Sequence, residues 1–279
     1  MRISKVLSKL RSGNVARICC LYGPINMFPR HAAHAGYDGI WLENEHNTWD
    51  QRELERMFAM HHLADIDCVV RPAYLGKTQL YHLLEQGATG VLVPHVSNRE
   101  SARFLVNALK FPPLGDRGMD GAGLDNDFFL QGTQHYPDQA NRDTIVVVQI
   151  ETVEALENVE EIAAVKGIDV LFIGPSDLAL RLDCAMDWAE PKMQAAQKRI
   201  AAAAAKNGIH WGRPTGTTED MTRLLEAGAR FVAHGSDFEA IAFSMQNRYK
   251  QTFERALAAN GLNAAAEEVA GSAAGRKGY

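Results

Sequence analysis

The sequence has no apolar run of about 18 residues, the length a membrane-spanning helix needs, so no membrane role is expected. It is poor in cysteine. Cys19, Cys20, Cys68 and Cys184 form no C-x-x-C pair, and three of them sit inside apolar runs. They read as buried reduced thiols, in place of disulfides or a metal site. It also lacks a basic stripe. Lys and Arg number 29 against 34 Asp and Glu, with the signs mixed and a net charge of -5, so no nucleic-acid partner is expected. The opening "MRISKVLSKLRSG" has no apolar core of a secretory signal, which makes the cytoplasm the expected compartment. No G-x-G-x-x-G follows the first apolar run, so a dinucleotide-type open sheet is only the second choice of fold.

What is present is a recurring alternation. Short apolar runs at "ARICCLYG", "GIWLENE", "DCVVRPA", "GVLVPHV", "TIVVVQIE", "VLFIGP", "IHWGRP" and "RFVAHGS" read as strands, with helical patterns between them. Parallel strands need helix-sized crossovers, and eight such units predict a closed (β/α)8 barrel. The 46% hydrophobic content suffices for its core. One domain is expected over residues 1–262. It opens with a helix that places Ile3, Val6, Leu7 and Leu10 on one face and stops at Gly13. Residues 263–279 read as a frayed tail. Capping boxes are expected at Thr48–Gln51 and Ser97–Glu100, with an acidic variant at Thr217–Asp220. His61 and His62, in "MHHL", read as surface residues of a helix. The Gly-, Pro- and Asp-rich stretch from Phe111 to Arg142 reads as a long functional or mobile loop.

In such a barrel the active site lies at the carboxyl ends of the strands. The polar residues gather there: Glu43, Asn44, Glu45 and His46; Arg71; Pro94-His95; Gln149 and Glu151; Asp177; Ser236 and Asp237. Glu151 and Asp177 end neighbouring strands, whose tips lie about 5 Å apart. Two bare carboxylates that close repel, and a divalent cation removes the conflict. Oxygen ligands completed by water suit Mg²⁺ or Mn²⁺, with Co²⁺ or Zn²⁺ as alternatives. The competing reading makes both acids ordinary helix-start residues favoured by the dipole. In Gly174-Pro175-Ser176-Asp177, glycine permits close backbone approach. The free N–H groups of Ser176 and Asp177 suit a carboxylate or phosphate. Arg71 suits an anionic oxygen, or else a structural ion pair with Glu43 or Glu45. His46 suits proton transfer, with Glu85 as its orienting acid from the next unit.

Six segments in order, "GIWLENEH", "VVRP", "LLEQGATGVLVPHV", "FPPLGDRG", "VQIET" and "GPSDLAL", resemble the HpcH/HpaI aldolase family of metal-dependent class II pyruvate aldolases, such as 4-hydroxy-2-oxoheptanedioate aldolase. The resemblance runs from about Val15 to about Ile241. It implies a (β/α)8 barrel, commonly a hexamer that exchanges a C-terminal helix. It implies Glu151 and Asp177 as metal ligands and Arg71 at the pyruvate keto oxygen. His46 becomes the proton-transfer residue, with Glu85 standing where the family usually has Asp. Ser176 and Asp177 become the carboxylate-binding amides, with Gln149 nearby. Asn44 and Asn47 depart from the small Gly and Ala usual around the Glu-His pair, which bears on the acceptor pocket.

The implied reaction is reversible cleavage of a 4-hydroxy-2-oxo acid to pyruvate, or hydroxypyruvate, and an aldehyde. No lysine reads as placed at a strand end for a Schiff base; Lys77 and Lys166 read as loop and helix-end positions. Two rivals remain: an acyl-CoA lyase or citrate-forming condensing enzyme of the same superfamily, and a non-catalytic barrel that binds a carboxylate.

Overall fold

The structure is a computed structural model that describes residues 2–130 and 132–262. The expected tail, 263–279, lies outside the described residues. Eight strands run in order: β1 (Ala16–Leu21), β2 (Gly39–Glu43), β3 (Asp67–Arg71), β4 (Gly90–Val93), β5 (Ile145–Ile150), β6 (Val170–Ile173), β7 (His210–Pro214) and β8 (Phe231–Ser236). Each pairs in parallel with the next, and β8 pairs with β1 to close the barrel. The fold is the expected (β/α)8 barrel, with a strand in each of the eight apolar runs.

The helices are α1 (Lys5–Arg11), α2 (Phe28–Ala35), α3 (Gln51–Ala64), α4 (Lys77–Glu85), α5 (Arg99–Leu109), α6 (Tyr136–Asp143), α7 (Val153–Glu157), α8 (Val159–Ala163), α9 (Pro175–Arg181), α10 (Pro191–Asn207), α11 (Thr218–Glu226), α12 (Asp237–Arg248) and α13 (Arg255–Ala259). They explain why β3 to β6 are buried at every position: helices cover the outer face while side chains fill the inside. Inside, Val69, Leu92, Val147 and Phe172 pack with Phe231 and Trp41. Phe172 meets Trp41 and Phe231 edge-on, with ring centroids 5.7 Å apart in each pair. Burial of a side chain of this size stabilises the fold by about 1.5–3 kcal/mol.

Helix α1 plugs the amino end of the barrel, where Val6, Leu7 and Leu10 join the interior cluster. Buried Asp67, the first residue of β3, accepts the Ser4 hydroxyl at 2.7 Å and the Val6 N–H at 2.8 Å, and pairs with Arg2. Ile3 is exposed, because the helix begins after the Ser4 cap and leaves that residue outside its apolar face.

Two of the three expected caps shift. The box on α3 is Asp50 with Glu53, and the box on α5 is Asn98 with Ser101. Asp and Asn cap as well as or better than the neighbouring Thr48 and Ser97, so the helices start later. Thr217 does cap α11, accepting from the Asp220 N–H at 3.1 Å. The Asp220 carboxylate, however, is taken by Arg213 and Thr215.

His61 is not a surface residue. It is 1% exposed, on the inner face of α3, and its Nδ1–H donates to the Met57 carbonyl at 2.6 Å. His62 is half-buried against the Gly87 carbonyl. The stretch from Phe111 to Arg142 is not one long open loop either. It contains a 3-10 turn, Leu124–Asn126, and α6. It joins α5 to β5 and therefore lies toward the amino ends of the strands. Buried Arg117 ties it together, donating at 2.8 Å to both Asp125 and the Tyr136 hydroxyl. Cys19, Cys20 and Cys68 are buried free thiols, as expected; Cys184 is partly exposed and also free.

Candidate active site

The carboxyl end of β2 begins the site. Glu43 is fully buried there. Its Oε1 accepts the N–H groups of Glu45 at 2.9 Å and His46 at 3.0 Å, folding the chain back over the strand tip. Its Oε2 accepts Arg71 Nε–H at 2.6 Å from the tip of β3. Trp49 locks the turn from behind by donating to the Glu43 carbonyl at 2.7 Å. Arg71 is 8% exposed and lies over the Trp41 ring at 4.8 Å, so the aromatic layer of the barrel core is the floor of the site.

The ion-pair reading of Arg71 is the one the geometry displays. Its Nε edge is committed to Glu43 and, at 3.1 Å, to Glu45. Among the described residues its Nη1 reaches Gln149 Oε1, at 3.5 Å, so the outer edge of the fork is less engaged than the Nε edge.

Gln149 and Glu151 rise from the end of β5, each 2% exposed. Gln149 Nε2 donates to Glu151 Oε2. Burial pushes the Glu151 carboxyl above its usual range, against the opposing effect of His95 and with help from Glu45. Gly174, at the tip of β6, leaves room for this carboxylate. A Cβ there would stand 2.6 Å from Gln149 Nε2 and 2.9 Å from Glu151 Oε2. Pro175 then starts α9, whose first intrahelical bond is Leu178 N–H to Gly174 O at 3.1 Å. The N–H groups of Ser176 and Asp177 precede that ladder. Asp177 is half-exposed and paired with Arg181 one turn on, while Arg181 Nη1 also lies 3.5 Å from the Glu151 carbonyl.

His46 is exposed, with Nε2 3.7 Å from Glu45 Oε2. Glu85 is not brought to it within the chain. Glu85 is the last residue of α4, which returns toward the amino ends of the strands, and its contact is His82 Nδ1 at 4.0 Å. Burial raises its carboxyl above the usual range, with Arg117 opposing. The acid beside His46 in this structure is Glu45.

The sequence reading gave no role to His95. It stands between Glu45 and Glu151, with Nε2 3.1 Å from Glu45 Oε1 and Nδ1 3.2 Å from Glu151 Oε1. Its position after β4 was a signal of place, but nothing in the sequence distinguished it from a turn residue. Asp237 proves structural: its carboxylate accepts the Tyr22 and Gly23 N–H groups at 2.9 and 3.0 Å.

The donor set fits a hard divalent cation that keeps several waters. It offers the Glu151 and Asp177 carboxylates, while Glu45 Oε2 faces Arg71 Nε at 3.1 Å. No group of three His, Cys, Asp or Glu among the described residues is placed to hold a metal, so the protein would supply few of the ligands.

A family model described as HpcH/HpaI aldolase/citrate lyase matches residues 24–242. The 2-dehydro-3,6-dideoxy-6-sulfogluconate aldolase of Pseudomonas putida is 36% identical over 205 residues, covering 73% of this chain and 79% of that one. A 4-hydroxy-2-oxo-heptane-1,7-dioate aldolase of Escherichia coli is 35% identical over 211 residues, covering 75% and 80%. The crystal structure of an HpcH/HpaI aldolase from Desulfitobacterium hafniense has a TM-score of 0.82 at 27% identity, covering 88% of this chain and 95% of that one. The matched span contains Glu43, Glu45, His46, Arg71, His95, Gln149, Glu151 and Asp177. The chain belongs to the HpcH/HpaI aldolase/citrate lyase family.

Proposed function

We propose that the protein is a carbon–carbon lyase, a class II pyruvate aldolase. It cleaves a 4-hydroxy-2-oxo acid reversibly to pyruvate, or hydroxypyruvate, and an aldehyde. The observation that carries this reading is the buried Glu151 carboxylate set beside Gln149 and the less engaged edge of Arg71 at the barrel mouth. Glu151 and Asp177 would hold the divalent cation, Mg²⁺, Mn²⁺ or Co²⁺. When bound, it supplies Lewis-acid stabilisation of the negative charge that develops as the bond breaks.

The chain's own residues do the rest. Arg71 presents its Nη edge to the keto oxygen on which charge develops; it is oriented in advance by Glu43, so little reorganisation is needed. The Ser176 and Asp177 N–H groups bind the substrate carboxylate, with Gln149 closing that side. His46 takes the proton from the 4-hydroxyl, and Glu45 is the acid near its ring, 3.7 Å away. Glu85 reaches a His46 only if a second copy delivers it, which suits the proposed hexamer of a cytoplasmic enzyme. An imine mechanism is not supported. Buried Lys110 gives its ammonium to the Asn141 and Thr144 carbonyls, beside the start of β5 and away from the mouth.

The test is pyruvate release from racemic 4-hydroxy-2-oxo acids by chelator-stripped protein, with and without Mg²⁺, Mn²⁺ or Co²⁺, and with Asp177→Ala in parallel. Activity should return with metal in the wild type and not in the variant. Full turnover in the stripped protein would overturn the proposal.

A further inference from the structure

His95 has a backbone φ of 59°, in the left-handed region. That conformation is unfavourable for a non-glycine residue, so the surrounding contacts must hold it there. The conformation has a consequence. It aims the His95 N–H at Glu151 Oε1, at 2.8 Å, and places Nδ1 3.2 Å from the same oxygen. The ring then spans to Glu45, whose Oε1 lies 3.1 Å from Nε2.

These contacts complete a closed circuit around the barrel mouth. Glu45 Oε2 meets Arg71 Nε at 3.1 Å. Arg71 Nη1 donates to Gln149 Oε1 at 3.5 Å, and Gln149 Nε2 donates to Glu151 Oε2. Both oxygens of Glu151 are thus held, Oε2 by Gln149 and Oε1 by His95. A carboxylate rotates freely about its terminal bond unless both oxygens are engaged. Gln149 alone would leave that rotation open.

We propose that His95 is a positioning residue for the aldolase reaction, fixing the plane of the Glu151 carboxylate through its backbone N–H and its ring and bracing it against Glu45. This rests on the reading of Glu151 as a cation ligand. Direct ligation by His95 is not what the geometry offers, since both ring nitrogens already face carboxylate oxygens. A partner that orients a ligand in this way typically contributes about 10–100-fold to metal affinity.

The experiment is calorimetric titration of Mn²⁺ into the chelator-stripped full-length protein, with pyruvate release measured alongside. His95→Asn removes the ring but tolerates the left-handed backbone. His95→Gln restores one side-chain donor, and Glu45→Gln removes the brace from the other side. The expected result is Mn²⁺ binding weakened about 10–100-fold in His95→Asn. His95→Gln should recover part of the loss, and kcat at saturating Mn²⁺ should stay within several-fold of wild type. Glu45→Gln should weaken Mn²⁺ binding in the same direction, with little added loss in the double variant. Wild-type Mn²⁺ affinity in His95→Asn overturns the assignment. A loss beyond about 10³-fold, well outside that range, makes His95 a ligand and also overturns it. If the wild type binds Mn²⁺ but cleaves no 4-hydroxy-2-oxo acid, the aldolase reading fails while the His95 effect on Mn²⁺ can still be read.

Discussion

The Glu43 carboxylate accepts Arg71 Nε–H at 2.6 Å, and both residues are withdrawn from solvent. Glu43 also accepts two backbone N–H groups, so one buried anion both orients the arginine and shapes the turn that carries Glu45 and His46. Glu43→Gln turns an amide N–H₂ toward one of these donors and leaves the buried Arg71 charge with Glu45 alone at its Nε edge. Breaking a buried pair on one side costs about 3–5 kcal/mol. The expected outcome is a fall in unfolding free energy of that order in urea denaturation, with kcat/KM reduced at least about 100-fold because Arg71 loses its orientation.

Gly174 is the second point where a small change should have a large local effect. A methyl there would meet Gln149 Nε2 at 2.6 Å and the Glu151 side chain at 2.9 Å. Its φ is -86°, so alanine meets no backbone strain and the cost is steric alone. Gly174→Ala should displace Gln149 and Glu151. It should weaken Mn²⁺ binding and lower kcat/KM by at least about tenfold, in the range of disturbed ligand support. The thermal midpoint should fall far less than for a core truncation. Titration of Mn²⁺ together with a thermal melt separates the two effects.

Strands β4 to β6 were the most legible because they are buried on both faces and read as apolar runs, which end near the first polar residues of the mouth. That same rule exposed Glu43, Arg71, Gln149 and Glu151 at the strand tips, and Asp177 in the first turn of the helix after β6. Distances between strands were not legible, and so the role of His95 was missed: its value comes from Glu45 and Glu151, 50 and 56 residues away in sequence. The place of Glu85 was not legible for a related reason. Helix α4 is antiparallel to the strands, so its last residue returns to the opposite end of the barrel. The caps of α3 and α5 shifted by one or two residues because several cap-competent side chains stand side by side, and only the three-dimensional entry angle chooses among them.

The placement of Glu85 yields a complementation prediction. From α12 through α13, Phe238, Ile241, Phe243, Met245, Tyr249 and Phe253 are all exposed, an apolar surface with nothing of the described chain upon it. A helix of this kind seeks another surface, and a second copy would cover it and carry its own Glu85. His46→Ala and Glu85→Ala should each be nearly inactive alone. Mixing them under conditions that exchange subunits should restore a measurable fraction of wild-type activity, since some sites then combine an intact His46 with an intact Glu85. Phe243→Asp with Phe253→Asp should shift the light-scattering mass to smaller species and lower activity with it.

His61 gives a pH dependence of stability that is independent of catalysis. Burial pushes its pKa down from 6.5 to about 4, with Arg2 and His62 adding to the effect and the Met57 carbonyl opposing it. The unfolded chain takes up a proton near 6.5, whereas the folded chain does so only near 4. The contribution of His61 to stability is therefore complete above the unfolded value and is lost as pH falls through this window. Between about pH 7.5 and pH 5 the loss amounts to roughly 2 kcal/mol from this one residue. His61→Leu forfeits the hydrogen bond to Met57 and also removes the titration. Urea midpoints at the two pH values should show the wild type losing more stability on acidification than the variant, by about that amount. Parallel losses in the two proteins would mean that the buried imidazole titrates normally and that His61 is not sealed in the core.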